Sequence, residues 1–227
     1  MISQTAIIGA TTWGTTLGIL LAQNGVPVSL LTRSEPEAQT LTSQGRNARF
    51  LPDAPFPDSL SVTSEPESAL RQSSLVIIAV PSDRMRENVQ RIESHLQPGA
   101  IILSATKGLE LPTAQRMSQV LEDELPANLH SGICVLSGPN LAKEIVQGKL
   151  ASTVIASQNP DASQTAQAAL MSNNFRVYTS RDVLGVELAG ALKNIVALGA
   201  GIGDGMEAGE NAKAAFLTRG LAEMTRL

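Results

Sequence analysis

The sequence predicts a doubly wound α/β fold, a mostly parallel sheet with helices on both faces, followed by the first helices of an all-α region. Three observations predict it. Short apolar runs alternate with longer amphipathic segments as far as Arg181. The first run opens onto a glycine-bounded turn and then a helical segment. Beyond Arg181 the strand-like runs stop and two long helical segments take over.

The strand candidates are residues 6–9, 26–31, 75–80, 100–105, 133–137 and 153–156, each bounded by Gly, Pro, Ser or Asn, and a polar-alternating run at 176–179. Helical candidates between them are 13–23, 64–71, 84–95, 113–123, 141–147 and 162–171. Residues 51–57 hold three prolines and are expected to form neither a helix nor a central strand. Asp182 is placed to cap a helix from Val183 to about residue 202, with Gly203-Asp204-Gly205 ending it. A second helix would run from about Asn211 to Leu227. This divides the chain into a dinucleotide-binding domain, 1–181, and the start of a helical substrate and catalytic domain, 182–227. Two apolar helices rarely bury a core of their own, and the chain stops inside a helical pattern, so the second region is expected to be incomplete.

Composition narrows the function. Aromatic residues make up 3% of the chain, so the core must come from Ala, Val, Ile and Leu. The net charge is −4 without any basic run, which argues against a nucleic-acid partner. Cys134 is the single cysteine and lies in the apolar run Ile133-Cys134-Val135-Leu136, so no internal disulfide forms and a reducing, cytoplasmic setting is expected. The first residues lack a basic leader pattern. The apolar stretch from Gly185 to Ile202 contains Glu187, Lys193 and Asn194, so a buried helix is expected there rather than a membrane span. His95 and His130 have no partner in sequence, and no spacing suits a metal.

The first turn, Gly9-Ala10-Thr11-Thr12-Trp13-Gly14, has the spacing of a G-x-G-x-x-G dinucleotide turn, with Thr11 at the middle glycine. The outer glycines allow the tight turn and close helix packing; the helix N-terminus offers amides to a diphosphate. The Thr11 side chain would either crowd the phosphates or donate to one. A strand–turn–helix without a ligand has the same spacing. The second strand ends at Thr32-Arg33-Ser34, where arginine suits the 2′-phosphate of NADP; Glu35 follows and pulls towards NAD. Arg33 could equally be a solvated surface arginine. Pro81, after the strand at 75–80, would bring that loop near the nicotinamide, or simply stop the strand. Lys107, in Ser104-Ala105-Thr106-Lys107-Gly108, sits at another strand's carboxyl end, and Gly138-Pro139-Asn140 turns into a helix at the same edge. Lys193-Asn194 is the most informative pair. A lysine inside an apolar, glycine-rich helix is costly unless paired or functional, and a desolvated lysine can exchange a proton near neutrality. A lysine reaching out along the helix surface is the plain alternative.

Together these segments resemble bacterial NAD(P)-dependent glycerol-3-phosphate dehydrogenase over essentially the whole chain. The matching pieces are Thr12-Trp13-Gly14-Thr15, Ala105-Thr106-Lys107-Gly108-Leu109-Glu110, Ser137-Gly138-Pro139-Asn140-Leu141-Ala142, Leu188-Ala189-Gly190-Ala191-Leu192-Lys193-Asn194, Gly203-Asp204-Gly205, and Asn211-Ala212-Lys213 through to Met224. The resemblance implies a Rossmann-type domain that binds NADP, or NAD, and reduces dihydroxyacetone phosphate to sn-glycerol 3-phosphate for phospholipid synthesis. It implies Lys193 as the proton donor and acceptor, and Lys107, Gly138, Asn140, Lys193 and Asn194 at the substrate. For the cofactor it implies Lys107 and Ala142, which join the candidates read from the turn and strand ends: Gly9, Thr11, Thr12, Trp13, Gly14, Arg33, Ser34 and Pro81. The family usually has glycine at Thr11 and serine at Asn140. Two other readings stay open: a 6-phosphogluconate or β-hydroxyacid type of dehydrogenase, and a non-catalytic nucleotide-binding module, motivated by Thr11 and the incomplete helical region. The apolar faces of the last helices point to a homodimer, although an incomplete region would expose the same faces.

Overall fold

The computed structural model describes residues 2–226. Among them, eight strands form one sheet: β1 (Thr5–Ile8), β2 (Val28–Leu31), β3 (Leu60–Thr63), β4 (Leu75–Ile78), β5 (Ile101–Ser104), β6 (Ile133–Ser137), β7 (Ala151–Ala156) and β8 (Phe175–Ser180). The helices are α1 (Thr12–Gln23), α2 (Glu35–Gln44), α3 (Pro66–Leu70), α4 (Met85–Ile92), α5 (Met117–Glu124), α6 (Ala142–Val146), α7 (Pro160–Leu170), α8 (Val183–Gly205) and α9 (Glu210–Arg226). The strand order is β3-β2-β1-β4-β5-β6-β7-β8. Strands β1 to β6 run parallel, β7 is antiparallel to β6, and β8 is parallel to β7. The predicted doubly wound, mostly parallel sheet is present.

The order reverses between β1 and β4. The chain steps outward from β1 to β3, then returns to place β4 on the other side of β1. Ile8 pairs with Ile78, so the two strands end level and the loops leaving them diverge. Both strands are wholly buried, and such continuous apolar runs are what a sheet covered on both faces requires. Alternate side chains enter two cores. Ile7, Leu75 and Ile77 pack with Leu17 and Leu21 of α1; Ala6, Ile8, Val76 and Ile78 pack with Val89 and Ile92 of α4.

Several elements differ from the sequence expectation. Neither β3 nor α2 was expected. β3 is an edge strand of four residues with only Leu60 buried, and α2 buries only Ala38 and Leu41, so neither shows an apolar pattern. The expected helix at 113–123 starts later, at Met117, because Ala114 takes a positive φ of 56° and Leu109 bridges Arg116. Residues 109–116 therefore close into a loop. The helix expected at 84–95 is α4 with a short 3-10 turn at each end. α8 continues past residue 202 to Gly205, and Asp204 in its last turn accepts a hydrogen bond from Lys213 Nζ of α9 at 2.8 Å. Leu227, the expected end of the last helix, lies outside the described residues.

α8 and α9 pack closely on each other, with Phe216 against Gly199 and Val196 against Gly220. Only Gly190 of α8 is buried, and no residue of α9 is. By length and composition alone, α8 is apolar enough to cross a membrane.

The loop between α2 and β3 is fixed to the first turn by one buried side chain. Asn47 Nδ2 donates to the Ala10 carbonyl at 3.0 Å and to Thr15 Oγ1 at 2.9 Å. Replacing Asn47 with Ala strands the buried Ala10 carbonyl, and the expected cost is about 1–3 kcal/mol in urea unfolding. An unchanged urea midpoint would show that the loop is held by other means.

Candidate functional site

Two adjoining clefts cross the carboxyl edge of the sheet. One, of about 960 Å³, lies over the ends of β1 and β2; the other, of about 390 Å³, lies over the ends of β4 and β5. Thr11, Val80 and Pro81 line both, so they meet where the strand order reverses. Open α/β sheets bind ligands in that position.

The turn between β1 and α1 is built by close approach. Gly9 has φ +105°, and a Cβ there would lie 2.9 Å from the Ala79 carbonyl oxygen. A Cβ on Gly14 would run into the Gly9 carbonyl oxygen. Thr11 settles the alternatives left by its sequence position. Its hydroxyl donates to the Ala79 carbonyl at 2.8 Å and accepts from Gly14 N at 3.0 Å, capping α1. It is committed to the protein and has no hydrogen to offer a phosphate. Among the described residues, the Thr12 and Trp13 N–H groups have no acceptor. Two free amides at the start of a twelve-residue helix suit an anion.

At the end of β2, Arg33 reaches out with its side chain 79% exposed and lines the larger cleft. Its backbone N–H donates to Glu37 Oε2 at 3.1 Å. Ser34 stands at the N-cap of α2, outside the cleft lining. Glu35 turns away: Ser64 Oγ donates to it at 2.6 Å and Gln39 Nε2 at 2.9 Å, and these bonds hold its carboxyl below the usual range. Of the acids that follow Arg33, the one lining the cleft is therefore Glu37, not Glu35; Asp83 and Glu87 line it from the other side. Arg49, stacked on the Phe50 ring at 4.9 Å, forms part of the opposite wall. Arg91 closes the base, donating to the Thr32 carbonyl at 3.0 Å and the Ser64 carbonyl at 2.7 Å.

The smaller cleft gathers Thr12, Trp13, Pro81, Lys107, Asn140 and Ala142. Lys107 Nζ donates to the Gly138 carbonyl at 2.7 Å. Burial first, and the Lys193 charge second, hold the Lys107 ammonium below the usual lysine range. Thr106 Oγ1 donates to the Val80 carbonyl at 2.8 Å, joining this loop to the end of β4. Asn140 Nδ2 donates to the Ser152 carbonyl at 2.8 Å, which turns its buried Oδ1 to where no donor meets it. Lys193 itself is exposed, as is Asn194. The expectation of a desolvated Lys193 is not met, because no described element covers that face of α8; the desolvated lysine is Lys107.

The model of the family "NAD-dependent glycerol-3-phosphate dehydrogenase N-terminus" matches residues 4–163, and that of its C-terminus matches residues 182–227. The chain belongs to the NAD-dependent glycerol-3-phosphate dehydrogenase family. A glycerol-3-phosphate dehydrogenase [NAD(P)+] of Dehalococcoides mccartyi is 49% identical over 226 residues, 99% of this chain and 63% of that one. Another, of Corynebacterium urealyticum, is 43% identical over 99% of this chain and 67% of its own. The crystal structure of glycerol-3-phosphate dehydrogenase from Coxiella burnetii superposes with a TM-score of 0.89 at 35% identity, covering 99% of this chain and 68% of that one. The chain thus spans 63% of the length of the first of these relatives. None of them favours the 6-phosphogluconate or β-hydroxyacid reading, or a non-catalytic module.

Within this glycerol-3-phosphate dehydrogenase frame, sequence reasoning placed the turn, Arg33, Pro81, Lys107, Asn140 and Ala142 on the clefts and missed Glu37, Arg49, Phe50 and Arg91. The adjacent Arg49-Phe50 pair before the proline-rich loop was the available signal for two of them. Thr11→Ser keeps both hydroxyl bonds and should leave urea stability nearly unchanged; Thr11→Val, similar in shape but without the hydroxyl, should lose about 0.5–2 kcal/mol. Equal stability of the two variants would remove the clamp.

Proposed function

We propose that this chain takes part in the NAD(P)H-dependent, reversible reduction of dihydroxyacetone phosphate to sn-glycerol 3-phosphate, feeding glycerophospholipid synthesis, with residues 1–181 as the cofactor domain and 182–227 as the start of the catalytic one. One observation carries it. Lys107, at the end of β5, lines the same cleft as Thr11, Thr12 and Trp13 of the first turn and is held there by the Gly138 carbonyl, and the Lys193 charge reaches it from α8. Two cations beside a dinucleotide turn suit a small phosphorylated carbonyl compound.

The groove fits the cofactor on its own geometry. Gly9 and Gly14 leave no room for side chains at the turn, and the Thr12 and Trp13 amides are free for a diphosphate. Arg33 and Arg49 would hold a 2′-phosphate and adenine, which supports NADPH over NADH; Glu37 works against a second negative charge and tempers that preference. When bound, the reduced nicotinamide would supply the hydride equivalent. Lys107 would hold a substrate oxygen while keeping its bond to the Gly138 carbonyl. Gly138 and Asn140 would line the substrate's side, Asn140 from the wall of the smaller cleft. Asn194 would stand beside the substrate, and Lys193 would give a proton to the carbonyl oxygen as it becomes a hydroxyl, taking it back in the reverse direction. Thr11 serves the cofactor through the turn it clamps. We read the setting as cytoplasmic, supported by the single cysteine, Cys134, free and buried in β6. A homodimer is part of the reading, supported by Ile195, Leu198, Ile202 and Leu221 exposed on α8 and α9.

NADPH titration should quench the fluorescence of Trp13, the single tryptophan, and quench it at lower concentration than NADH. Arg33→Ala should weaken NADPH by about tenfold and NADH by much less. Absence of quenching by either cofactor in the folded chain would sink the cofactor assignment. For catalysis, NADPH oxidation on adding dihydroxyacetone phosphate is the readout. Lys193→Ala should lower it by roughly 10²–10⁴-fold with NADPH affinity intact; an active Lys193→Ala variant would refute the proton-donor role.

A further inference from the structure

Two residues of α8, one turn apart, make close contacts with the preceding domain. Gly190 lies so near the end of β6 that a Cβ there would stand 2.5 Å from the Ser137 hydroxyl. One turn earlier is Glu187, whose side chain is only 8% exposed. Its carboxylate accepts from Arg116 Nη1 at 2.7 Å, Ser118 N at 2.8 Å and Ser118 Oγ at 2.6 Å. Among the described residues, every side-chain hydrogen bond and ion pair from α8 or α9 to a residue before Ser180 ends on this carboxylate.

The donors are not a separate surface. Arg116 closes the loop that carries Lys107, since Leu109 bridges Arg116 and Glu110 N donates to the Gln115 carbonyl at 2.8 Å. Arg86 of α4 braces the same loop from behind, donating to the two Glu110 oxygens at 2.8 and 2.9 Å. A series of fixed contacts therefore runs from Lys107 through Leu109 and Arg116 to Glu187, and Lys193 stands one turn beyond Gly190 on the same helix. A buried carboxylate is costly unless donors fill its lone pairs, so Glu187 is at ease only where these three converge. An apolar contact would let α8 slide or rotate; this one does not.

We propose that Glu187 is a positioning residue for Lys193: it is the latch by which the loop carrying Lys107 fixes where α8 stands, and so sets the spacing of the two ammonium groups. The inference rests on the proposed role of Lys193 as proton donor. The charged groups facing Lys107 are Lys193 and Glu187 from α8; from the loop after β6 it meets the uncharged Gly138 carbonyl. Burial and the Lys193 charge both depress the Lys107 titration, and both weaken if α8 moves away.

The test is the pH profile of lysine acylation by acetic anhydride, resolved at Lys107 by peptide mass mapping. In Glu187→Ala the pH of half-maximal Lys107 modification should move upward, towards that of an ordinary lysine. Glu187→Gln, which keeps an acceptor for Ser118, should recover part of that shift. Ser118→Ala should shift the profile in the same direction by less. Glu187→Ala also removes an anion facing Lys107, which alone would lower its titration, so Ser118→Ala, with the Glu187 charge kept, decides: an unchanged Lys107 profile in folded Ser118→Ala would overturn the proposal. NADPH quenching of Trp13, measured on the same samples, reports separately on the dehydrogenase reading, because no residue of the cofactor turn is altered.

Discussion

The groove depends on how closely the turn after β1 approaches the end of β4. Gly9 has no room for a side chain against Ala79, and the Thr11 hydroxyl bonds the Ala79 carbonyl at 2.8 Å. These contacts hold two loops together just where they begin to diverge. Pro81 can line both clefts only because of that, and α1 can present its free amides to the junction between them. Thr106, bonded to Val80, extends the same seam to the Lys107 loop. A dinucleotide turn is usually described by the glycines that make room for phosphate. Here the middle position does the opposite, using a side chain to tighten the turn from the protein side and leaving phosphate to the backbone.

The sheet was legible in the sequence where burial is uniform. β1, β4, β5 and β6 are apolar runs because helices cover both faces, and a run of that kind needs no partner to be recognised. β3 and α2 were not legible, since an edge strand and a mostly solvated helix carry only part of the pattern. The same division holds for the site. The turn and Lys107 follow from their places at strand ends. Glu37, Arg49 and Arg91 reach the larger cleft from a helix, a loop and a distant helix, so only the assembled fold brings them together. The error over Lys193 has a similar origin: an apolar helix implies burial, but which face is covered is decided by neighbours.

The charges around the smaller cleft are arranged with economy. Lys107 is held by a carbonyl and not by a carboxylate, so its proton is not locked into an ion pair. Glu187, which lines a small cavity together with Lys107, is already satisfied by Arg116 and Ser118. Glu110 is likewise taken up by Arg86, whose bonds hold its carboxyl below the usual range. The cationic character of that end survives in a chain whose net charge is −4 because the nearby carboxylates have been given other partners.

The reversed pair β7 and β8 has a consequence for how the chain delivers Lys193. Strands β1 to β6 all finish at the ligand edge, and a helix following any of them leads away from it. β8 finishes low on the sheet, with Ser180 opposite Ala156 and Ala156 opposite Val135. The helix that follows must climb. It passes Val135 and Leu136, meets Ser137 at Gly190, and after about 15 Å of rise from Val183 brings Lys193 above the top of β6. Reversing two strands turns an outgoing helix into an incoming one, and gives the pocket a wall that is approached from below.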